Sequence, residues 1–82
     1  MKELDGFRAA AQSQENWEAA LVYDMAEDLT DNILKQLLPG SPTRLISAFE
    51  ANRRSASAAE EEAWDNSILA AQIIFEENGL AY

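Results

Sequence analysis

Trp17, Leu21, Met25, Leu29, Ile33 and Leu37 recur at an unbroken spacing of four residues, with no glycine or proline between them. Apolar residues at that interval share one face of an α-helix, and the segment lacks the apolar/polar alternation of a strand. The pattern predicts a long helix over residues 14–38, which Ser13 can cap and Pro39-Gly40 ends. Proline excludes the residue before it from ordinary helical geometry, and glycine suits the left-handed turn that closes a helix. At about 100° per residue, Leu21 to Leu37 sweep an arc of roughly 160°, joined by Val22 and Ala26. An arc of that breadth suits a helix packed against two neighbours, so it is expected to face the core. Trp17, at the edge of the arc, is expected to tuck beneath the first helix; its alternative is an exposed aromatic anchor.

Asp24, Glu27, Asp28 and Asp31 lie opposite, at i, i+3, i+4 and i+7. They form one stripe about 100° wide, and like charges at this spacing weaken a helix slightly. Lys35 follows Asp31 by four residues and can relieve one of the four. The stripe therefore reads either as a solvated face or as a surface for a basic partner.

Three further segments are helical. Residues 2–11 place Leu4, Phe7 and Ala11 on one face, with Gly6 weakening the first turns. Ser41-Pro42 reads as an N-cap followed by proline at the first helical position, and Leu45, Ile46 and Phe49 supply the apolar face. That helix closes on Asn52-Arg53-Arg54, whose cations suit the negative end of the helix dipole and can pair with Glu50 or with the Glu60 to Glu62 run. The last helix starts with a capping box, Ser57 with Glu60, and stops at Asn78-Gly79, after which Leu80 and Tyr82 can fold back on its final turn. Trp64, Ile68, Ala71 and Phe75 form its apolar face. The predicted fold is all-α: a compact single-domain bundle of about four helices, two long and two short, joined by short loops. Its large core residues are expected to be Trp17, Leu21, Met25, Leu29, Ile33, Leu37, Leu45, Phe49, Trp64, Ile68 and Phe75.

Leu69 and Ile73 break this pattern. They point away from the Trp64-Ile68-Phe75 face, among Glu62, Asp65, Asn66, Glu76 and Glu77. Two large aliphatic groups ringed by charge either pack under another part of the chain, such as the C-terminal Leu80-Ala81-Tyr82, or form a contact patch.

Composition narrows the chemistry. The chain has no histidine and no cysteine. That removes the commonest general base, the thiol nucleophiles, disulfides and the usual zinc ligands. No glycine-rich phosphate loop is present, and a carboxylate stripe on an open helix face does not converge as a calcium loop does. The chain is expected to be non-enzymatic, with no cofactor and no metal. Fifteen acidic against six basic residues give a net charge of −9, which disfavours direct binding to nucleic acid or to an anionic membrane and favours a protein partner with a basic surface. The absence of cysteine, of a signal-like apolar run and of any long apolar span points to the cytoplasm.

These features together predict an acidic interaction protein that blocks or modulates a basic, nucleic-acid-handling protein. Such an activity matches inhibitors of host defence from phages and mobile elements, with regularly spaced carboxylates standing in for phosphates. Candidate contacts are Asp24, Glu27, Asp28 and Asp31 on the second helix. On the fourth they are Glu62, Asp65, Glu76 and Glu77, with Leu69 and Ile73 as apolar anchors. The alternatives are a structural protein that homodimerises through Leu69 and Ile73, and an antitoxin-like or anti-sigma-like neutraliser.

Overall fold

In the computed structural model, which describes residues 2–36 and 40–82, the chain forms four helices: α1 (Lys2–Ser13), α2 (Trp17–Gln36), α3 (Ser41–Arg54) and α4 (Ala58–Glu77). They pack as an all-α bundle with extents of 37 × 25 × 16 Å. No helix among the described residues is long and apolar enough to cross a membrane.

Local chemistry explains each boundary. At the end of α1 the Asn16 N–H reaches the Ala11 carbonyl (2.9 Å) and the Glu15 N–H reaches that of Gln12 (3.0 Å). This is the Schellman arrangement, and it puts Glu15 in the left-handed region at φ 58°. Asn16 then starts α2, its side-chain oxygen accepting the Ala19 N–H at 3.3 Å. The same arrangement ends α4, with Leu80 N–H on the Phe75 carbonyl (2.8 Å) and Gly79 N–H on that of Glu76 (3.0 Å). There the left-handed residue is Gly79, at φ 70°, and Leu80 folds back onto the core as expected, while the Tyr82 hydroxyl bonds the Glu76 carboxylate. The N-cap of α3 is Gly40 rather than the expected Ser41; Ser41 and Pro42 are instead buried residues of its first turn. Ser57 caps α4, but not as a capping box: its hydroxyl donates to the Glu60 carboxylate (3.3 Å) instead of accepting a backbone N–H. Pro39, Leu37 and Leu38 lie outside the described residues.

α1 and α2 form one antiparallel hairpin, α3 and α4 another. The two dock through α2 and α4, which run parallel: Asn16 donates to the Ala59 carbonyl (3.1 Å), and seven residues on in both helices Asn66 donates to the Tyr23 hydroxyl (3.0 Å). α1 and α3 lie on opposite flanks of this central pair.

The buried residues of α2 are Ala19, Ala20, Val22, Tyr23, Ala26 and Thr30. Those of α4 include Ala63, Ser67, Ala70, Ala71 and Ile74. Small side chains thus meet small side chains across the central seam. The larger groups of the core are Leu4 from α1, Leu45, Ile46 and Phe49 from α3, and Trp64 and Phe75 from α4, with Phe49 and Trp64 in ring contact at 5.7 Å.

This arrangement overturns the expected orientation of α2. Trp17, Leu21, Met25 and Leu29 are not core residues; they are 63%, 66%, 45% and 41% exposed. The core expectation holds for Leu45, Phe49, Trp64 and Phe75, while Ile33 and Ile68 pack against the core half-buried. The cause is a second periodic set in the same helix, Ala19, Val22, Tyr23, Ala26 and Thr30, spaced i, i+3, i+4, i+7 and i+11. Its small members let α4 lie close against α2, and Tyr23 is long enough to reach both neighbouring helices. The bulkier set is left on the far side.

Candidate protein-binding surface

The outer side of α2 carries four large apolar groups in consecutive turns. Successive members of the row are rotated by about 40°, so Trp17, Leu21, Met25 and Leu29 form a continuous ridge winding slowly around the helix. Monomeric proteins seldom leave such a ridge in water unless it has a use, and an exposed apolar patch of a few hundred Å² is the usual mark of a contact site. Glu18, Asp24 and Asp28 border it on the helical wheel, and all three are exposed.

The four carboxylates read from the sequence do not act as one free stripe. Arg8 of α1 reaches across and donates to Asp24 (2.8 Å), to Glu27 (3.1 Å) and to Asp5 of its own helix (2.7 Å). Its guanidinium is held above its ordinary value, chiefly by the bond to Asp24; burial opposes this, and Glu27 and Asp5 add to it. Lys35 pairs with Asp31 at 2.8 Å, the pairing expected from their spacing. Glu27 and Asp31 are also half-buried. Asp28 has no ion pair among the described residues and projects beside the ridge. Sequence reasoning missed Arg8, whose one available signal was its place as the lone arginine in a helix rich in alanine.

On α4, Leu69 and Ile73 stay in water, 55% and 38% exposed, so the C-terminal segment does not bury them. Their acidic setting is partly spent as well. Arg53 takes Asp65 at 2.8 Å, which was not among the partners expected for the arginine pair, and stands 3.8 Å from Glu61, which was; Glu76 accepts from Tyr82. Glu62 and Glu77 remain exposed without an ion pair among the described residues.

A cleft of about 190 Å³ opens where α1, α2 and α4 converge. Alanines 10, 11, 19, 58, 59 and 63 line it, and Phe7 stacks on Tyr23 at one side with ring centroids 5.6 Å apart. Burial raises the Tyr23 phenol above its ordinary value of 10.0; the Asn66 hydrogen bond opposes this and the nearby Glu62 charge adds to it. Gln14, Asn16, Glu62 and Asn66 also line it, but the volume is below the roughly 300–1,000 Å³ of small-molecule sites. Among the described residues no group of three or more potential metal ligands comes together. The ridge on α2 is thus the feature with the largest chemical consequence. Comparison with protein-family models, with curated proteins and with solved structures found no match for this chain.

Proposed function

We propose that this chain is a non-enzymatic, cytoplasmic interaction protein that docks the outer face of α2 on a protein partner with a basic surface, and so blocks or modulates it. The observation that carries the reading is the exposed ridge of Trp17, Leu21, Met25 and Leu29. Desolvating these four groups favours association, and a tryptophan at one end is the residue type most often found at binding hot spots. The net charge of −9 steers the encounter toward a basic partner. Phosphate mimicry by the Asp24 to Asp31 row has weaker support, because Arg8 and Lys35 already occupy three of its four carboxylates. A second reading, a homodimer through α4, is favoured by the exposure of Leu69 and Ile73.

The test compares capture from an extract at low salt by the full chain, by Leu21→Glu/Met25→Glu and by Leu69→Glu/Ile73→Glu. The proposal expects a protein retained by the native chain and the α4 variant, released by high salt, and lost from the α2 variant. Identical retention by all three would refute it. Loss only from the α4 variant, with a native dimer in sedimentation, would establish the second reading.

A further inference from the structure

We infer that the outer face of α2 accepts a cationic amphipathic helix and not a second copy of this chain; the inference rests on the α2 reading above.

Shape points first to a helix. Trp17 to Leu29 spans twelve residues at 1.5 Å each, a ridge about 18 Å long. It follows the i±4 row, inclined to the helix axis, and such a ridge fits the matching groove of another helix crossing at about −50°. The bundle presents no strand edge among the described residues, so backbone pairing with an extended segment is not offered here.

Area and charge then select the kind of helix. From their fractional exposures the four side chains present roughly 400 Å² of apolar surface, about half of the ~800 Å² per partner in a standard interface. The remainder must come from what borders the ridge, and those charged groups are Glu18, Asp28 and Asp24, the last already held by Arg8, with Lys35 engaged by Asp31. Among the described residues, Glu18 has only a long contact with the Ser57 hydroxyl, 3.4 Å, and Asp28 has no cation. A second copy would set this acidic border against itself and bring together two chains of charge −9. A helix with apolar residues at i, i+4, i+8 and lysine or arginine beside them fills the ridge and answers the carboxylates at the same time.

The experiment titrates the full chain with three synthetic helical peptides. One has a leucine row flanked by lysine and arginine, one the same row flanked by glutamate, and one the cationic flanks with the leucines replaced by glutamine. The expected result is binding of the first peptide, about tenfold or more weaker binding of the other two, and loss of affinity as salt rises. Leu21→Glu/Met25→Glu and Glu18→Lys/Asp28→Lys each weaken the first peptide by a similar factor, whereas Leu69→Glu/Ile73→Glu leaves it unchanged. Circular dichroism shows that each variant is folded. Equal binding of the lysine-flanked and glutamate-flanked peptides, both lost in the α2 variant, overturns the cationic partner and leaves the ridge as a docking surface. A concentration-dependent dimer abolished by Leu21→Glu/Met25→Glu makes the second copy the occupant. Binding of the cationic peptide that no α2 substitution weakens removes the α2 reading itself.

Discussion

Leu21 and Val22 are adjacent in sequence and about 100° apart around α2, one exposed and one buried, so truncating each to alanine measures which side faces the core. Leu21 is 66% exposed, leaving about a third of a burial contribution of roughly 1.5–3 kcal/mol to lose, or about 0.5–1 kcal/mol. Alanine's better helix propensity returns a few tenths of that. Val22 is 2% exposed. Removing two buried methyl groups at about 0.8 kcal/mol each, with the cavity they leave, costs about 2 kcal/mol, less about 0.5 for propensity. Val22→Ala should therefore destabilise by about 1 kcal/mol more than Leu21→Ala, although the leucine is the larger residue. For a domain of this size each kcal/mol shifts the Tm by about 4–8 °C. Urea denaturation followed by far-UV circular dichroism, with equal slopes for the three proteins, reads the difference directly. Leu21→Ala costing as much as Val22→Ala, or more, would refute the orientation of α2 and with it the ridge.

Ser67 is fully buried on α4 and its hydroxyl has no hydrogen-bond partner among the described residues, so Ser67→Ala should stabilise by about 1 kcal/mol in the same assay. Glu15 holds a left-handed backbone where an L-residue costs about 1–2 kcal/mol, against roughly 0.5–1 kcal/mol for glycine's extra unfolded-state entropy; Glu15→Gly should raise stability by about 0.5 kcal/mol. Arg8→Met removes the cation shared by Asp5, Asp24 and Glu27, and should lower the Tm at low salt with the deficit shrinking at high salt. The Tyr23 phenol, raised by burial, is protonated in the folded chain at pH values where the unfolded chain has lost its proton. Its contribution is complete below the ordinary value of 10.0 and is lost as pH climbs from there through the higher folded value, so native stability should fall between the two and Tyr23→Phe should flatten the fall, as urea midpoints across alkaline pH will show.

The elements of this fold were legible in sequence because they depend on local chemistry. Asn78-Gly79, Ser57 and the arginine pair at the end of α3 mark real helix ends, and the spacing of Trp17 to Leu29 does make a helix. The face that α2 buries was not legible, because burial belongs to the pair of surfaces and not to one of them. The large residues dominate the apolar pattern, yet Ala19, Ala26 and Thr30 of α2 and Ala63, Ser67, Ala70 and Ala71 of α4 are the buried ones, and only the docked pair makes small residues the better interior. Tyr23 was the available clue: an aromatic on the supposed flank, in register with three alanines or threonines. The acidic row was located correctly by its i, i+3, i+4, i+7 spacing. Its neutralisation depends on Arg8, sixteen and nineteen residues away from its partners, a separation no helical wheel reports.

The parallel seam between α2 and α4 also sets the order in which the molecule can assemble and come apart. Each antiparallel hairpin closes through contacts between consecutive helices, whereas the seam joins residues 43 apart, as in Asn16 with Ala59 and Tyr23 with Asn66. Because alanine, serine and threonine bury little area, the seam contributes less apolar stabilisation than its length suggests. The two hairpins are natural cooperative units. Since α2 carries its ridge on the side away from the seam, the first hairpin would present that ridge during synthesis before α3 and α4 had emerged.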